Sequence, residues 1–415
     1  MNQRILAALS YAHFATDLPQ GAVPALLPLF KTQYHLSYVQ LGFIVLLSNI
    51  SSSVIQPLFG IISDRTGIAW MMPVGTLLAG LGMMATVVTH SYTVVVVMIF
   101  IAGIGVAAFH PEGYKFAGLA SYEGRAATGM SYFSLGGNVG VGLGPAAVSI
   151  AIATWGAYGF SYIIPISVAA AIVLWHRVLP WAAAQPRVEF VASMPRGEGA
   201  GARPSVRGGA VAALVLLIVY VVVRSWVSTG ISNFIPLYFT GIRHMHSTYG
   251  GIIASVFLGA GAVGTLLGGL AADRWGHRLT LIASMAVLPP FLWLITHGSG
   301  AWPIVGSVIG GMAAVSSFAV AMVMAQGLIP HRIGLASGLI IGFAVGTGGI
   351  GATALGAVAD RWGVVSAMNL TALLPVAAAV LALFLPRDSA SLRNPDRGAS
   401  RTSRCGAESH AGGGA

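Results

Sequence analysis

The amino-acid sequence predicts an all-α integral membrane protein, and three observations carry that expectation. Apolar windows of about 20 residues, the length a helix needs to cross a bilayer, recur from one end of the 415-residue chain to the other. Only 8% of the residues are charged and 56% are hydrophobic, whereas a soluble domain carries roughly 25% charged residues. The windows are continuously apolar and do not alternate, which argues against the strands of a membrane β-barrel. The net charge of +10 does not point to nucleic acid, because the basic residues gather between spans. The single cysteine, Cys405, lies in the polar tail, so neither a disulfide framework nor a cysteine metal site is expected. No cleavable signal peptide is expected either, since the first apolar run reads on to Phe30 as a full span.

Twelve spans are expected, near 5–30, 38–62, 70–89, 92–119, 126–153, 158–179, 211–239, 248–271, 279–297, 302–327, 333–358 and 365–385. A stretch rich in Pro, Gly and Arg, "LPWAAAQPRVEFVASMPRGEGAGARPSVRGG", interrupts them and reads as a polar linker. The expected organisation is a six-helix bundle over residues 1–180, a cytoplasmic linker over 181–210, a second bundle over 211–386 and a disordered basic tail over 387–415. With the N-terminus inside, inner segments hold sixteen of the Arg and Lys residues and outer loops hold only Lys31, Arg243 and Arg361. That bias places both termini in the cytoplasm.

The two halves repeat. "GIISDRTG" (60–67) closes the second span and "GLAADRWG" (269–276) closes the eighth; upstream, "ALLPLF" ends the first span and "FIPLYF" the seventh. Matches in the same order argue for duplicated units around a central path, hence two pseudo-symmetric bundles.

Six plus six spans, a long central loop and Gly-x-x-x-Asp-Arg-x-Gly after the second span resemble the major facilitator superfamily. Gly60, Asp64, Arg65 and Gly67 match that motif in the first half; Gly269, Asp273, Arg274, Gly276 and Arg278 match it in the second. "GVGLGP" (140–145) is similar to the glycine-proline motif of the superfamily's antiporters. More narrowly, "HFATDLPQGAVPALLP", "SSSVIQPLFG" and "FHPEG" resemble the fosmidomycin-resistance group. The resemblance implies export of a drug or similar small polar compound in exchange for protons. It also implies a gating role for Gly60, Asp64, Arg65, Gly67, Asp273 and Arg274, with the aspartate meeting the start of a helix in the other half. One departure is plain: many proton-driven antiporters of the superfamily carry an arginine in the fourth span three residues before a glycine, and here Phe100 precedes Gly103.

Charged groups inside spans are few, and each costs about 2.5–3.5 kcal/mol at the bilayer centre on insertion scales. Asp17, Glu112 and Arg224 are the clear cases, with His13 and His110 beside the first two. His13 and Asp17 are four apart and share a helix face, so they are expected to bind or relay a coupling proton; the competing reading is a structural hydrogen bond. Pro19 and Pro24 are expected to disturb this helix. Pro111 cannot donate to Ala107 O, so the fourth span should kink, and His110 and Glu112 at that point suggest a polar path. Burial disfavours an ionised carboxylate, which suits Glu112 to loading and releasing a proton; the alternative is a structural pair with Lys115. Arg224 presents a planar fork suited to a carboxylate or phosphonate, with an internal ion pair as the other reading. Gln20, Gln56, Tyr132 and Asn138 are further candidates to line a substrate cavity.

No catalytic constellation, cofactor or metal is expected. His110-x-Glu112 lacks the cysteine pair of a deaminase zinc signature, and Gly-x-Gly-x-x-Gly runs such as 346–351 follow no strand of a βαβ unit. No Gly-x-x-x-x-Gly-Lys-Ser/Thr loop occurs, so ATP is not the expected energy source. One charge crossing 100 mV releases about 2.3 kcal/mol, enough for roughly a 50-fold substrate gradient. The expected protein is therefore a monomeric, proton-coupled exporter in the inner membrane, working by alternating access on a small-molecule substrate. A proton-coupled importer of an organic anion or sugar is the alternative; a membrane sensor or enzyme would need a signalling domain or a nucleophile-base set.

Overall fold

The computed structural model describes residues 1–66, 68–121, 126–185, 208–329, 339–340 and 346–386, with the side chains of 64–66, 126–128 and 208–210 outside that description. Every described element is a helix or a turn. In order these are α1 (Gln3–Tyr34), α2 (Tyr38–Asn49), a π turn (Ile50–Val54), α3 (Gln56–Thr66), α4 (Met71–Val88), α5 (Tyr92–Ala120) and α6 (Ala126–Trp155). A 3-10 turn (Ala157–Tyr162) leads into α7 (Ile163–Val173), and a π turn (Leu174–Val178) joins it to α8 (Leu179–Ala183). After residues 186–207 come α9 (Gly208–Gly241), α10 (Ser247–Trp275), α11 (His277–His297), α12 (Trp302–Leu328), α13 (Gly348–Trp362) and α14 (Val364–Leu383). Among the described residues, ten helices are long and apolar enough to cross a membrane. α1 is long enough but too polar to join them by composition, since His13, Asp17, Gln20 and three prolines lower its mean hydropathy. The expected span at 333–358 lies largely outside the described residues.

Helix termini follow local chemistry. Ser37 and Gln40 form a reciprocal capping box at the start of α2, satisfying two amides that would otherwise lack partners. α10 and α13 both stop at a glycine with positive φ, Gly276 (95°) and Gly363 (86°), a conformation that side chains with a Cβ disfavour. These stops extend the eighth and eleventh spans about one turn past the expected ends at 271 and 358. Charged Asp-Arg pairs looked like loop, yet a last helical turn in the interface region holds them readily.

The prolines of the first and fourth spans stand inside helices. α1 runs unbroken through Pro19, Pro24 and Pro28, and α5 through Pro111. In tightly packed membrane bundles, neighbouring helices tolerate the freed carbonyls, so a proline need not break the helix. Departures from α geometry include the two π turns and the 3-10 turn, where no proline sits.

Packing within the first half pairs α1 with α6 and α4 with α5; in the second, α12 packs on α10 and α11. Small residues let backbones approach, as a Cβ on Gly140 would sit 2.7 Å from Phe14 O. Between halves, α2 packs on α13 and α6 on α10. These contacts are unevenly distributed. A hydrophobic core runs through the second half and crosses into the first at the end of the bundle away from the N-terminus, joining Leu26, Phe30 and Ile44 to Phe234 and Phe257. At the end that carries the N-terminus, Leu6, Leu9, Phe109, Phe116 and Phe133 form a separate cluster confined to the first half. There Tyr132 and Leu135 of α6, and Leu266 and Leu270 of α10, are exposed. The bundle is closed at the far end and parted at the terminal end.

Candidate functional site

Halfway along α1, one turn apart, His13 and Asp17 face the His110 ring of α5. His13 Nε2 lies 3.1 Å from Asp17 Oδ2, and His110 Nε2 lies 3.5 Å from Asp17 Oδ1. The two Nε2 atoms are 3.2 Å apart. The far side of each ring is spoken for: His13 Nδ1 meets Phe133 O at 2.9 Å, and His110 Nδ1 meets Val106 O at 2.8 Å. A carbonyl oxygen only accepts, so each Nδ1 carries its hydrogen and donates. Each neutral ring then presents a bare Nε2 lone pair toward the other ring and toward a carboxylate. Three electron-pair donors converge with nothing between them, and their ligating atoms all lie within 4.8 Å. That arrangement holds together only around a positive charge, and a proton on either Nε2 supplies one.

Aromatic rings pack around the cluster. His13 stacks on Phe133, with ring centroids 4.2 Å apart, and sits edge-on to His110. Tyr114 and Phe109 complete an aromatic shell. His13 and Asp17 are buried and His110 is nearly so. Gly137 of α6 makes the seat possible, because a Cβ there would come within 2.5 Å of His13 Cε1. Oδ1 of Asp17 has no hydrogen-bond partner, which a buried carboxylate tolerates poorly.

Glu112 sits apart from this cluster on the same helix. Its Oε1 accepts from Ser63 Oγ at 2.5 Å, and Lys115 Nζ stands 3.7 Å from Oε2. The side chain is fully buried. Both sequence readings of Glu112 thus meet in one place: it has the Lys115 partner and a buried carboxylate.

Arg224 is buried on α9, against α12. Its Nε donates to Ala314 O at 3.0 Å and its guanidinium carbon lies 5.1 Å from the Phe318 ring centre. Among the described residues, Asp17 and Glu112 pair with histidine and lysine rather than with Arg224. Gln20 of α1 donates to Ser52 Oγ of the π turn at 2.9 Å, beside a cavity of about 10 Å³. Gln56 is half-buried at the start of α3 and Asn138 is exposed on α6. Tyr132 lines a larger cavity of about 600 Å³ at the parted end, together with Gln3, Ser10, Tyr11 and Phe14. The structure therefore does not bring the five expected substrate residues together.

Of the expected gate, the Asp64 and Arg65 side chains and Gly67 lie outside the description. A Cβ on Gly60 would lie 4.0 Å from Pro111 Cβ, an ordinary contact. Asp273 and Arg274 are exposed at the terminal end, the guanidinium carbon lying 6.0 Å from the Trp275 ring centre. One residue escaped the sequence reading. Asp360, on α13, accepts from Tyr38 N at 2.7 Å and Val39 N at 2.9 Å. The signal was present, as "DRWG" at 360–363 copies 273–276.

Comparison with known proteins settles the family. The model of the Major Facilitator Superfamily matches residues 9–250 and 216–407. The chain belongs to the major facilitator superfamily. It is a transporter, not an enzyme. This superfamily member is 30% identical over 382 residues to the fosmidomycin resistance protein of Escherichia coli (strain K12), covering 92% of each chain. It is 31% identical over 395 residues to an uncharacterized transporter of the superfamily, YfnC, from Bacillus subtilis (strain 168), covering 92% and 93%. Its fold is similar to that of the nucleoside transporter NupG, with a TM-score of 0.74 at 12% identity over 92% of this chain and 99% of that one. A bacterial homolog of the lysosomal transporter Spinster, captured inward-facing, gives 0.69 at 14% identity over 92% and 96%. The superfamily fold, two bundles of six helices, thus agrees with the sequence expectation, and the transporter is a multi-pass membrane protein acting on a small molecule.

Proposed function

We propose that this transporter exports a small polar or anionic compound in exchange for protons, and that fosmidomycin-like phosphonates are the class to test first. The observation that carries the coupling is the His13–Asp17–His110 cluster, in which one proton reconciles two lone pairs and a carboxylate inside an aromatic shell. Loaded, the cluster is an imidazolium beside a carboxylate and has no net charge. Unloaded, it would leave a buried carboxylate facing two lone pairs, a state that costs several kcal/mol in a dry site. Release of the proton is therefore tied to whatever opens the shell to water. α1 and α5 supply the cluster, and the same α1 lines the 600 Å³ cavity at Ser10, Tyr11 and Phe14, a volume that suits a small ligand.

In this reading the two termini are cytoplasmic, so the parted end faces the cytoplasm and the far end is sealed. Cargo enters along the shared face of α1 and α6 that lines this cavity, and Arg224 is the cation that an anionic group would reach after the halves rearrange. Glu112 is a second proton carrier linked to Ser63. The sixteen-to-three basic bias supports the orientation, and likeness to the fosmidomycin resistance protein supports the cargo class. The protein acts as a monomer in the bacterial inner membrane.

Everted vesicles with an acidified lumen and a pH-sensitive dye test this directly. Adding fosmidomycin should release lumenal protons in vesicles that contain the transporter and leave empty vesicles unchanged. Acidification of the lumen on addition would mean symport, and would overturn the direction.

A further inference from the structure

Asp360 stands where its own helix does not want it. It lies in the last turn of α13, next to Arg361 and Trp362 and just before the Gly363 stop. The C-terminal end of a helix carries partial negative charge, which disfavours a carboxylate. What compensates is across the interface: both carboxylate oxygens receive backbone N–H groups, Tyr38 N at 2.7 Å and Val39 N at 2.9 Å, from the first turn of α2. Those amides are among the four that an α-helix leaves without intrahelical partners, and the start of a helix favours an anion. The contact joins residues 322 positions apart, in opposite halves.

The surrounding packing fits a closed latch. A Cβ on Gly42 of α2 would come within 2.5 Å of Thr353 Cα on α13, and a Cβ on Gly356 would collide with the Tyr38 carbonyl. The Tyr38 ring lies 3.9 Å below Lys31 Nζ and stacks on Phe234 of α9 at 6.4 Å. Everything here belongs to the sealed end of the bundle.

We propose that Asp360 is the latch of the far-end gate, holding α13 of one half to the first turn of α2 in the other, and that transport requires this carboxylate to leave the Tyr38 and Val39 amides. It is a positioning residue that touches neither cargo nor the histidine cluster. The proposal does not depend on cargo, direction or coupling ion.

The test is a distance measurement in the full-length protein. In a Cys405→Ala background, Thr32→Cys and Arg243→Cys place spin labels on exposed far-end positions of opposite halves. The unmodified latch should give one short, narrow population. Asp360→Ala should shift the closed-to-open ratio at least tenfold toward a longer distance, equivalent to about 1.4 kcal/mol. A second comparison leaves Asp360 in place. Tyr38 follows Ser37, whose extended backbone (ψ 161°) accepts a following proline, and proline is favoured at the first helical position. Tyr38→Pro deletes the amide and the ring, whereas Tyr38→Ala deletes the ring alone. The proline variant should open the far end more than the alanine variant. Unchanged distances in Asp360→Ala, or equal opening in Tyr38→Pro and Tyr38→Ala, would overturn the latch. So would a lower melting temperature with the distance ratio unmoved, which is what a merely structural contact predicts.

Discussion

Replacing Asp17 with asparagine keeps the size of the side chain and removes its charge, which isolates the electrostatic half of the histidine cluster. In the native protein the carboxylate lies 3.1 Å from His13 Nε2. Attraction to a protonated ring at that separation is about 5 kcal/mol at an effective dielectric near 20. Desolvation of the pair offsets part of this, so we take about 3 kcal/mol as the loss on neutralisation. That corresponds to a proton occupancy roughly 100-fold lower at fixed pH. The asparagine side chain can still accept through its amide oxygen, and the freed histidines can stay neutral, so the fold has no stranded charge to carry. The assay is substrate-driven proton release in everted vesicles, alongside cargo binding followed by tryptophan fluorescence and a melting temperature for the purified variant. Asp17→Asn should bind cargo, melt within a few degrees of the native protein, and release no protons. Proton release at the native rate would refute the reasoning, because coupling would then not need the Asp17 charge.

Three more outcomes follow from the same geometry. Gly137→Ala should push the His13 ring off Phe133, costing about 1–3 kcal/mol as overpacking does and abolishing coupling without replacing any titratable group; thermal melting and the dye assay measure the two effects. Glu112→Gln should keep the Ser63 bond and melt near the native temperature, whereas Glu112→Ala should lose about 2–4 kcal/mol by opening a cavity and stranding Ser63; native transport by the glutamine variant would remove Glu112 from the proton path. Arg224→Met fills the space beside Phe318 without a charge, so it should fold while losing anionic cargo; a binding isotherm for fosmidomycin indistinguishable from native would exclude Arg224 from the cargo site.

The fold was legible because its signals are long-range and redundant. Each span is an apolar run bounded by charge, and the repeat of "SDRTG" and "ADRWG" fixed the duplication without any contact being known. Span ends depart from expectation at Asp273 and Asp360 for one reason: a charged pair reads as the end of a helix that a positive-φ glycine ends three residues later. Within the site, the i, i+4 spacing of His13 and Asp17 exposed half the cluster. Its closure by His110 from another helix had no sequence signature, because only tertiary packing brings α5 to α1. Gly137 was invisible for the same reason, its role being space left for a ring on a different helix. Arg224 shows the opposite limit: the sequence marked it as costly and functional, but could not show that its Nε donates to the carbonyl of Ala314.

The interlock of α1 with α6 has a mechanical consequence. Cβ atoms on Gly21 and Gly140 would strike the opposing backbone at Val141 and Phe14, so these two rods cannot slide or twist past one another without collision. They must swing as a single stiff leaf. Any bending during the cycle is then left to places where the hydrogen-bond ladder is already loosened, and the five-residue π turn at Ile50–Val54, wedged against Gly103, is the natural elbow.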